Sequence, residues 1–134
     1  MLLTNKHIFI VEDNIMNYAI IKTILQTNGA ILTHDRWGKE ALVRIKDMEQ
    51  IDLILLDLTL DGETSGYDVF EQIKADAELC DIPIVAVSAS GELKKTREMG
   101  FTGYIGKPID RYTFPQAVAA ILDGKSIWGD SLDL

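Results

Sequence analysis

A run of four aliphatic residues, Leu53 to Leu56, lies between two acids, Asp52 and Asp57. The run is too short to span a membrane and has the length of a strand that is covered on both faces. A carboxylate at the end of such a dry strand is costly unless charged or polar groups compensate it. The rest of the chain must therefore supply partners for Asp57, and this requirement constrains the fold more than any other feature.

Polar or charged residues also stand where three other predicted strands end. They are Glu12 and Asp13 after strand 7–11, Ser88 at the end of strand 83–88, and Lys107 and Pro108 after strand 103–106. In a parallel sheet with helical crossovers, the carboxyl ends of the strands share one edge, where ligands bind. We therefore expect these residues to converge with Asp57 on one acidic pocket.

Strand-like and helix-like segments alternate along the chain. The predicted strands are 7–11, 30–33, 53–56, 83–88 and 103–106. The predicted helices are 14–27, one marked by the spacing of Trp37, Ala41, Ile45 and Met48, one that Ser65 caps, 91–99, and one that begins at a capping box formed by Thr113 and Gln116. The pattern predicts an α/β fold, a doubly wound parallel sheet with right-handed crossovers. Helix 91–99 is mostly charged, so we expect it to be weakly anchored.

Composition narrows the class of protein. The length of 134 residues fits one domain, and 47% hydrophobic residues can form a full core. The net charge of −8 argues against nonspecific binding to nucleic acid or anionic lipid. The first residues lack a signal-peptide pattern and no apolar run reaches the ~20 residues of a membrane helix. With a single cysteine, Cys80, these features predict a cytoplasmic protein that does not insert into membranes.

The three acids of the predicted pocket indicate a metal site. Glu12, Asp13 and Asp57 cannot all stay ionised together without a cation, because like charges raise each other's pKa. Oxygen ligands with few carboxylates suit Mg²⁺, which keeps much of its hydration. A carboxylate beside Mg²⁺, the Lys107 ammonium and the Ser88 hydroxyl can accept a phosphoryl group.

Each residue also has a simpler explanation. The Glu12–Asp13 pair could cap the first helix, Lys107 could be a solvated lysine at the end of a strand, and Ser88 could be a helix cap. The coincidence of the four strand-end positions favours the functional interpretation.

The chain resembles the receiver domains of two-component response regulators, from Lys6 to about Leu122. The motifs that carry the resemblance are Val11-Glu12-Asp13-Asn14, Leu55-Leu56-Asp57-Leu58, Val87-Ser88-Ala89 and Tyr104-Ile105-Gly106-Lys107-Pro108-Ile109-Asp110. The resemblance implies a flavodoxin-like, five-stranded parallel sheet of order 2-1-3-4-5 with five helices. It places a receiver domain at residues 1–123 and leaves 124–134 as a short tail with no output domain, which packs on the domain, touches a partner or is disordered.

The resemblance also implies roles for individual residues. Asp57 is the phosphoacceptor, and Asp13, Asp57 and the Thr59 carbonyl bind Mg²⁺, with Glu12 assisting through water. Lys107 contacts the phosphoryl group. Ser88 and Tyr104 form a switch pair in which the tyrosine ring moves from solvent into a partly buried slot. Thr59 and Ser90 flank the path of the water that removes the phosphoryl group.

The implied partners are a histidine kinase or histidine phosphotransfer protein and a downstream protein target. The donor is expected to dock on the apolar residues beside the pocket, Ile15, Met16, Pro108 and Ile109. The chain is then no enzyme beyond its own phosphorylation and autodephosphorylation, and it signals by phosphorylation-dependent protein contacts without binding nucleic acid directly.

Two positions depart from the family pattern. Where the family usually has proline four residues after the phosphoacceptor, this chain has Asp61, and Gly66 stands one residue later than usual. The separation between Ser88 and Lys107 is a few residues shorter than is common in the family, which puts the usual output surface in doubt.

Two alternative functions stay open. A degenerate receiver could act as a phosphorylation-independent scaffold. The segment from Asp57 to Gly62 also resembles that of haloacid-dehalogenase phosphatases, but those need a second aspartate where this chain has Thr59. A flavin-binding protein on the same fold is disfavoured because the first strand lacks a phosphate-binding loop.

Overall fold

Strands and helices alternate as the sequence predicts. A computed structural model describes residues 1–60, 62, 64–89 and 91–130 of the chain. The strands are β1 His7–Val11, β2 Ile31–Asp35, β3 Leu53–Leu56, β4 Ile84–Ser88, β5 Gly103–Gly106 and β6 Trp128–Asp130. The helices are α1 Ile15–Thr27, α2 Ala41–Lys46, α3 Gly66–Lys74, α4 Leu93–Met99 and α5 Thr113–Leu122.

All strands belong to one parallel sheet of order β2-β1-β3-β4-β5-β6. The predicted doubly wound fold is confirmed, and the described residues form six strands where five were predicted. The extra strand comes from the segment expected to be a tail, and it pairs with the outer edge of β5. Its residues therefore pack back on the domain.

The sheet separates two hydrophobic cores. Along β1 and β3, Ile8, Ile10, Leu53 and Leu55 face one core with residues of α1 and α5. The alternate residues, among them Phe9 and Leu56, face the other core with residues of α2 and α3. Every side chain of β3 is at most 1% exposed. Burial on both faces explains why this strand reads as an unbroken aliphatic run.

Two predicted helix starts were wrong. Helix α2 begins at Ala41, and Trp37 lies before it in a loop, 43% exposed. This loop passes so close to α3 that a Cβ on Gly38 would lie 2.9 Å from Val69 Cγ2. At α5, Thr113 is the first helical residue and not the cap. Instead, Asp110 Oδ1 accepts hydrogen bonds from the backbone N–H groups of Tyr112 and Thr113, at 2.8 and 2.9 Å.

Another expectation about a helix is confirmed. Ser65 caps α3 in a reciprocal capping box with Asp68, with distances of 3.1 and 2.9 Å. In α4, Thr96 is buried, and Leu93 and Met99 pack against the core while partly exposed. Among the described residues, no helix combines the length and the apolar character that crossing a bilayer requires.

Candidate functional site

The ends of β1, β3, β4 and β5 bring the predicted residues together. Asp57 directly follows β3, and its backbone N–H donates to the Val11 carbonyl oxygen of β1 at 3.0 Å. The backbone N–H of Lys107 donates to the Ser88 carbonyl oxygen at 3.0 Å, which ties the end of β5 to the end of β4. Backbone hydrogen bonds thus hold Asp57 and Lys107 at the carboxyl edge of the sheet.

Glu12, Asp13 and Asp57 form a buried cluster of carboxylates. Each offers an oxygen within 4.8 Å of the others, and their exposures are 1%, 7% and 7%. The Lys107 ammonium donates to Glu12 Oε1 at 2.5 Å and to Asp57 Oδ2 at 3.2 Å. One lysine cannot balance three ionised acids, so the cluster could hold a metal ion, for which its oxygen donors fit.

The charge imbalance acts on Glu12 in particular. Burial raises the pKa of Glu12 to about 7, the adjacent Asp57 carboxylate adds to the rise, and Lys107 opposes it. Glu12 Oε2 also accepts a hydrogen bond from the Asn14 backbone N–H at 3.2 Å. The protonation of Glu12 therefore changes near neutral pH.

The carboxylate of Asp57 is held from two sides. Its Oδ1 accepts a hydrogen bond from the Thr59 backbone N–H at 3.0 Å, while Oδ2 faces Lys107. Behind it, Gly66 begins α3 so close that a Cβ there would lie 2.2 Å from the Asp57 carbonyl oxygen. Glycine is therefore required at position 66, and the helix still abuts the strand end although Gly66 comes one residue later than the family pattern.

The simpler explanations for these residues do not fit the structure. Asn14, whose Oδ1 accepts from the Asn17 N–H at 2.9 Å, caps α1 in place of Glu12 or Asp13. Lys107 is not solvated, because its side chain is only 13% exposed between two acids. Ser88 belongs to β4 and is 1% exposed, well before the start of α4.

A pocket opens over Asp57. It is lined by Asp13, Asn14, Ile15, Met16, Asn17, Arg36, Trp37, Asp57 and Thr59. Arg36 and Trp37 were missed as residues of the site. The Arg36 guanidinium donates from Nε to the Asp13 carbonyl oxygen at 2.9 Å and stacks 4.6 Å from the centre of the Trp37 ring. Their position directly after β2, at the same edge of the sheet, was the signal that could have found them.

Two of the residues predicted to dock a donor, Ile15 and Met16, line this pocket, and the other two line an adjoining groove. Ile15 and Met16 are 52% and 73% exposed at the start of α1. Pro108 and Ile109 lie with Asn17, Ile20 and Lys107 around an adjoining groove. Ile20, which is 49% exposed, extends the apolar surface and was not predicted. Apolar side chains therefore border the mouth of the acidic pocket on the α1 side.

Tyr104 does not lie where its predicted role places it. The expectation was a ring that starts in solvent, but the side chain is 4% exposed. Its hydroxyl donates to the Ser88 carbonyl oxygen at 3.1 Å and accepts from the Gly91 N–H at 3.0 Å. The Tyr104 ring is already buried, and its hydroxyl binds the backbone of Ser88, the predicted switch partner. Asp61 and Ser90 lie outside the described residues.

Comparisons with known proteins show which family the chain resembles. A family model for the response regulator receiver domain matches residues 8–119. The polar-differentiation response regulator DivK of Brucella ovis is 35% identical over 120 residues, which cover 87% of this chain and 96% of the relative. The phosphorylated cyanobacterial phytochrome response regulator RcpA is 30% identical with a TM-score of 0.74, over 88% of this chain and 91% of that one.

A second solved structure is similar over the same region. The receiver domain of a sensor histidine kinase from Pseudomonas aeruginosa, which has a magnesium ion coordinated in its active site cleft, is 29% identical with a TM-score of 0.76. The match covers 91% of this chain and 100% of that domain. The converging strand ends, the acidic cluster and these similarities lead to one conclusion: the chain belongs to the response regulator receiver domain family.

Proposed function

We propose that this receiver accepts a phosphoryl group on Asp57 from the phosphohistidine of a histidine kinase or phosphotransfer protein, and signals by a phosphorylation-dependent contact with another protein. The observation that carries the proposal is the placement of Asp57. Its carboxylate lies at the floor of an open pocket with one oxygen beside the Lys107 ammonium. We place this activity in the cytoplasm, which the single Cys80 supports, because a protein without an internal disulfide suits a reducing compartment.

The transfer step needs a nucleophile and a means of spreading charge. An oxygen of the Asp57 carboxylate bonds to phosphorus while the bond from phosphorus to the donor imidazole nitrogen breaks, and that nitrogen keeps the electron pair. Lys107, 3.2 Å from Asp57, offsets negative charge on the phosphoryl oxygens. The hydroxyl of Ser88, at the end of the adjacent strand β4, can donate to one of those oxygens.

Mg²⁺ is the metal that we propose for the acidic cluster. Asp13, Asp57 and the Thr59 carbonyl oxygen would hold the ion, and Glu12 would assist through a water molecule. An all-oxygen donor set with few carboxylates supports this choice. When bound, the ion neutralises charge on the transferring phosphoryl group.

The donor protein is proposed to dock on the apolar rim of the pocket. Ile15, Met16 and Pro108 are exposed, and Ile109 is half-buried beside them. A cluster of exposed apolar side chains next to a reactive group is typical of a protein-binding surface. A phosphohistidine that approaches Asp57 through the open pocket must bring its carrier against this rim.

The two alternative functions find less support. A haloacid-dehalogenase-like phosphatase needs an acid two residues after the nucleophile, but Thr59 stands there and its backbone N–H binds Asp57. A degenerate scaffold would be expected to lack part of the site. Here the acids, the lysine and the strand-end serine all meet at one edge of the sheet.

Labelling with acetyl phosphate tests the proposal. Intact mass should increase by one phosphoryl group in the presence of Mg²⁺, and the increase should disappear in Asp57→Asn and after chelation of the metal. Val43→Ala, a change at an exposed position of α2, is the matched control and should label like the parent. Equal labelling of Asp57→Asn and the parent would contradict the assignment of Asp57.

A further inference from the structure

The sixth strand lies directly against the strand that carries Tyr104. The backbone N–H of Tyr104 donates to the Ile127 carbonyl oxygen at 2.8 Å, and the register then pairs Tyr104 with Trp128 and Ile105 with Gly129. The segment after α5 thus adds a strand to the sheet beside Tyr104, the residue whose hydroxyl contacts the Ser88 carbonyl oxygen.

The sequence of β5 permits this close approach. A Cβ on Gly103 would lie 2.7 Å from the Ile127 carbonyl oxygen, so any larger residue there would push the segment away. Gly129 in β6 has a φ of 136°, a conformation that favours glycine. Ile127 packs against the core on one face of the sheet and Trp128 packs against the core on the other. The contact between β5 and β6 therefore has both backbone and side-chain components.

Trp128 lies beside Tyr104 on the same face of the sheet. Residues that pair between neighbouring parallel strands point to the same face, and the strands lie about 4.8 Å apart. Both side chains belong to the core on the α3 and α4 face. The Arg97 guanidinium of α4 lies 5.4 Å from the centre of the Trp128 ring, which connects the indole to that helix.

This arrangement limits where the Tyr104 ring can go. On one side of β5 lies β4, whose end the tyrosine hydroxyl contacts through the Ser88 carbonyl oxygen. On the other side lies β6 with the Trp128 indole. A ring that leaves its buried position toward the outer edge of the sheet would enter the space that Trp128 fills.

We propose that Trp128 is a positioning residue that keeps Tyr104 buried, and that pairing of β6 with β5 and phosphorylation of Asp57 stabilise each other. The second half rests on the proposed function together with the switch that the family resemblance implies, in which the phosphorylated form has the Tyr104 ring buried. A coupling between two sites is reciprocal at equilibrium: if phosphorylation stabilises the pairing of β6, that pairing stabilises the phosphorylated form by the same free energy, and a change that loosens β6 weakens phosphorylation.

The first test uses the unphosphorylated protein. The Gly91 N–H, which donates to the Tyr104 hydroxyl, reports the position of the ring through its amide hydrogen exchange. Trp128→Ala should increase this exchange rate by at least about fivefold, the lower end of typical coupling between sites. Trp128→Phe, which keeps a ring in the same place, should restore most of the protection. An unchanged Gly91 rate in Trp128→Ala would overturn the proposal.

A second variant loosens β6 without removing the tryptophan. Gly103→Ala places a methyl group against the Ile127 backbone and should raise the Gly91 rate in the same direction as Trp128→Ala. Val43→Ala is the control and should leave the rate unchanged. Faster exchange in Val43→Ala as well would indicate general loosening and would contradict a role specific to β6.

The third test is a double-mutant cycle on phosphorylation. Trp128→Ala should lower phosphoryl occupancy at a subsaturating acetyl phosphate concentration by at least about fivefold. In a Tyr104→Ala background the same change should have little further effect, because the indole acts through the tyrosine. An equal effect in both backgrounds would overturn the proposal. Absence of labelling in the parent would contradict the proposed function instead, and the Gly91 rates would still decide the role of Trp128.

Discussion

Lys107 lies closer to Glu12 than to Asp57. Its ammonium nitrogen is 2.5 Å from Glu12 Oε1 and 3.2 Å from Asp57 Oδ2. Glu12 therefore holds the lysine beside the proposed acceptor before any phosphoryl group arrives. Electrostatic stabilisation is most effective when the charged group is already in place, because no reorganisation is then needed during the reaction.

Replacement of Lys107 by methionine should slow the labelling of Asp57. The variant keeps most of the aliphatic stem and loses the charge near the transferring oxygens. Loss of one such group costs about 100-fold or more in rate, so a similar decrease in the labelling rate with acetyl phosphate is expected. Lys125→Met is the matched control, since Lys125 is exposed after α5. A rate within error of the parent would show that Lys107 has no part in the transfer.

The stability of the metal-free protein should depend on the protonation of Glu12. Its pKa is raised from 4.5 to about 7, chiefly by burial, so the folded state binds the proton more tightly than the unfolded state. The stabilisation is then complete below pH 4.5 and is lost as the pH rises through about 7. The free energy of unfolding in urea, measured for the parent and for Glu12→Gln across this pH range, isolates the contribution of Glu12 protonation to stability.

The comparison with Glu12→Gln is needed because the contribution of His34 to stability changes with pH in the opposite direction to that of Glu12. Burial lowers the pKa of His34, whose Nε2–H donates to the Glu12 carbonyl oxygen at 2.7 Å. Its contribution to stability is lost as the pH falls, and it is common to both proteins. A difference in free energy of unfolding that does not change with pH between parent and Glu12→Gln would contradict the raised pKa of Glu12.

The sheet and the acidic cluster could be predicted because they follow from strong local patterns. The aliphatic run before Asp57 requires a doubly covered strand, and such strands in a parallel sheet deliver their ends to one edge. Glu12, Asp13 and Lys107 followed from that rule alone. The Ser65 cap also depends only on residues a few positions apart.

The features that were missed depend on tertiary contacts. Strand β6 has three residues with a glycine in the middle, too short for a periodic pattern, and it exists because Gly103 lets it approach. The buried position of Tyr104 is a choice of side-chain rotamer, which strand periodicity does not specify. At α5, Asp110 and Thr113 are both residues that cap helices, and the path of the chain after β5 selects Asp110.

Binding of Mg²⁺ should change the fluorescence of Trp37. This indole lines the pocket that Asp13, Asp57 and Thr59 also line. Because the metal competes with a proton at Glu12, the apparent affinity should increase between about pH 6 and about pH 8. A titration in a Trp128→Phe background removes the second tryptophan of the chain from the signal.

Two variants serve as controls for the metal titration. Asp13→Asn removes a proposed ligand and should abolish the response, whereas Glu12→Gln should bind with little dependence on pH. Saturable binding in Asp13→Asn with the affinity of the parent would place the ion elsewhere. A pH dependence that persists unchanged in Glu12→Gln would assign it to another group.

Replacement of Ile15 by aspartate should separate donor docking from the chemistry of the pocket. Ile15 is the first residue of α1 and is 52% exposed, so an acid there costs little packing and is favourable near a helix N-terminus. Transfer from the cognate phosphohistidine donor should slow by about tenfold or more, as expected for a charge placed in an apolar contact. Labelling by acetyl phosphate should stay at the parental rate.

Val43→Asp also places an aspartate at an exposed aliphatic position, in α2, and should slow transfer from neither donor. Equal losses with both donors in Ile15→Asp would mean that the pocket itself is damaged and that the rim is not the docking surface.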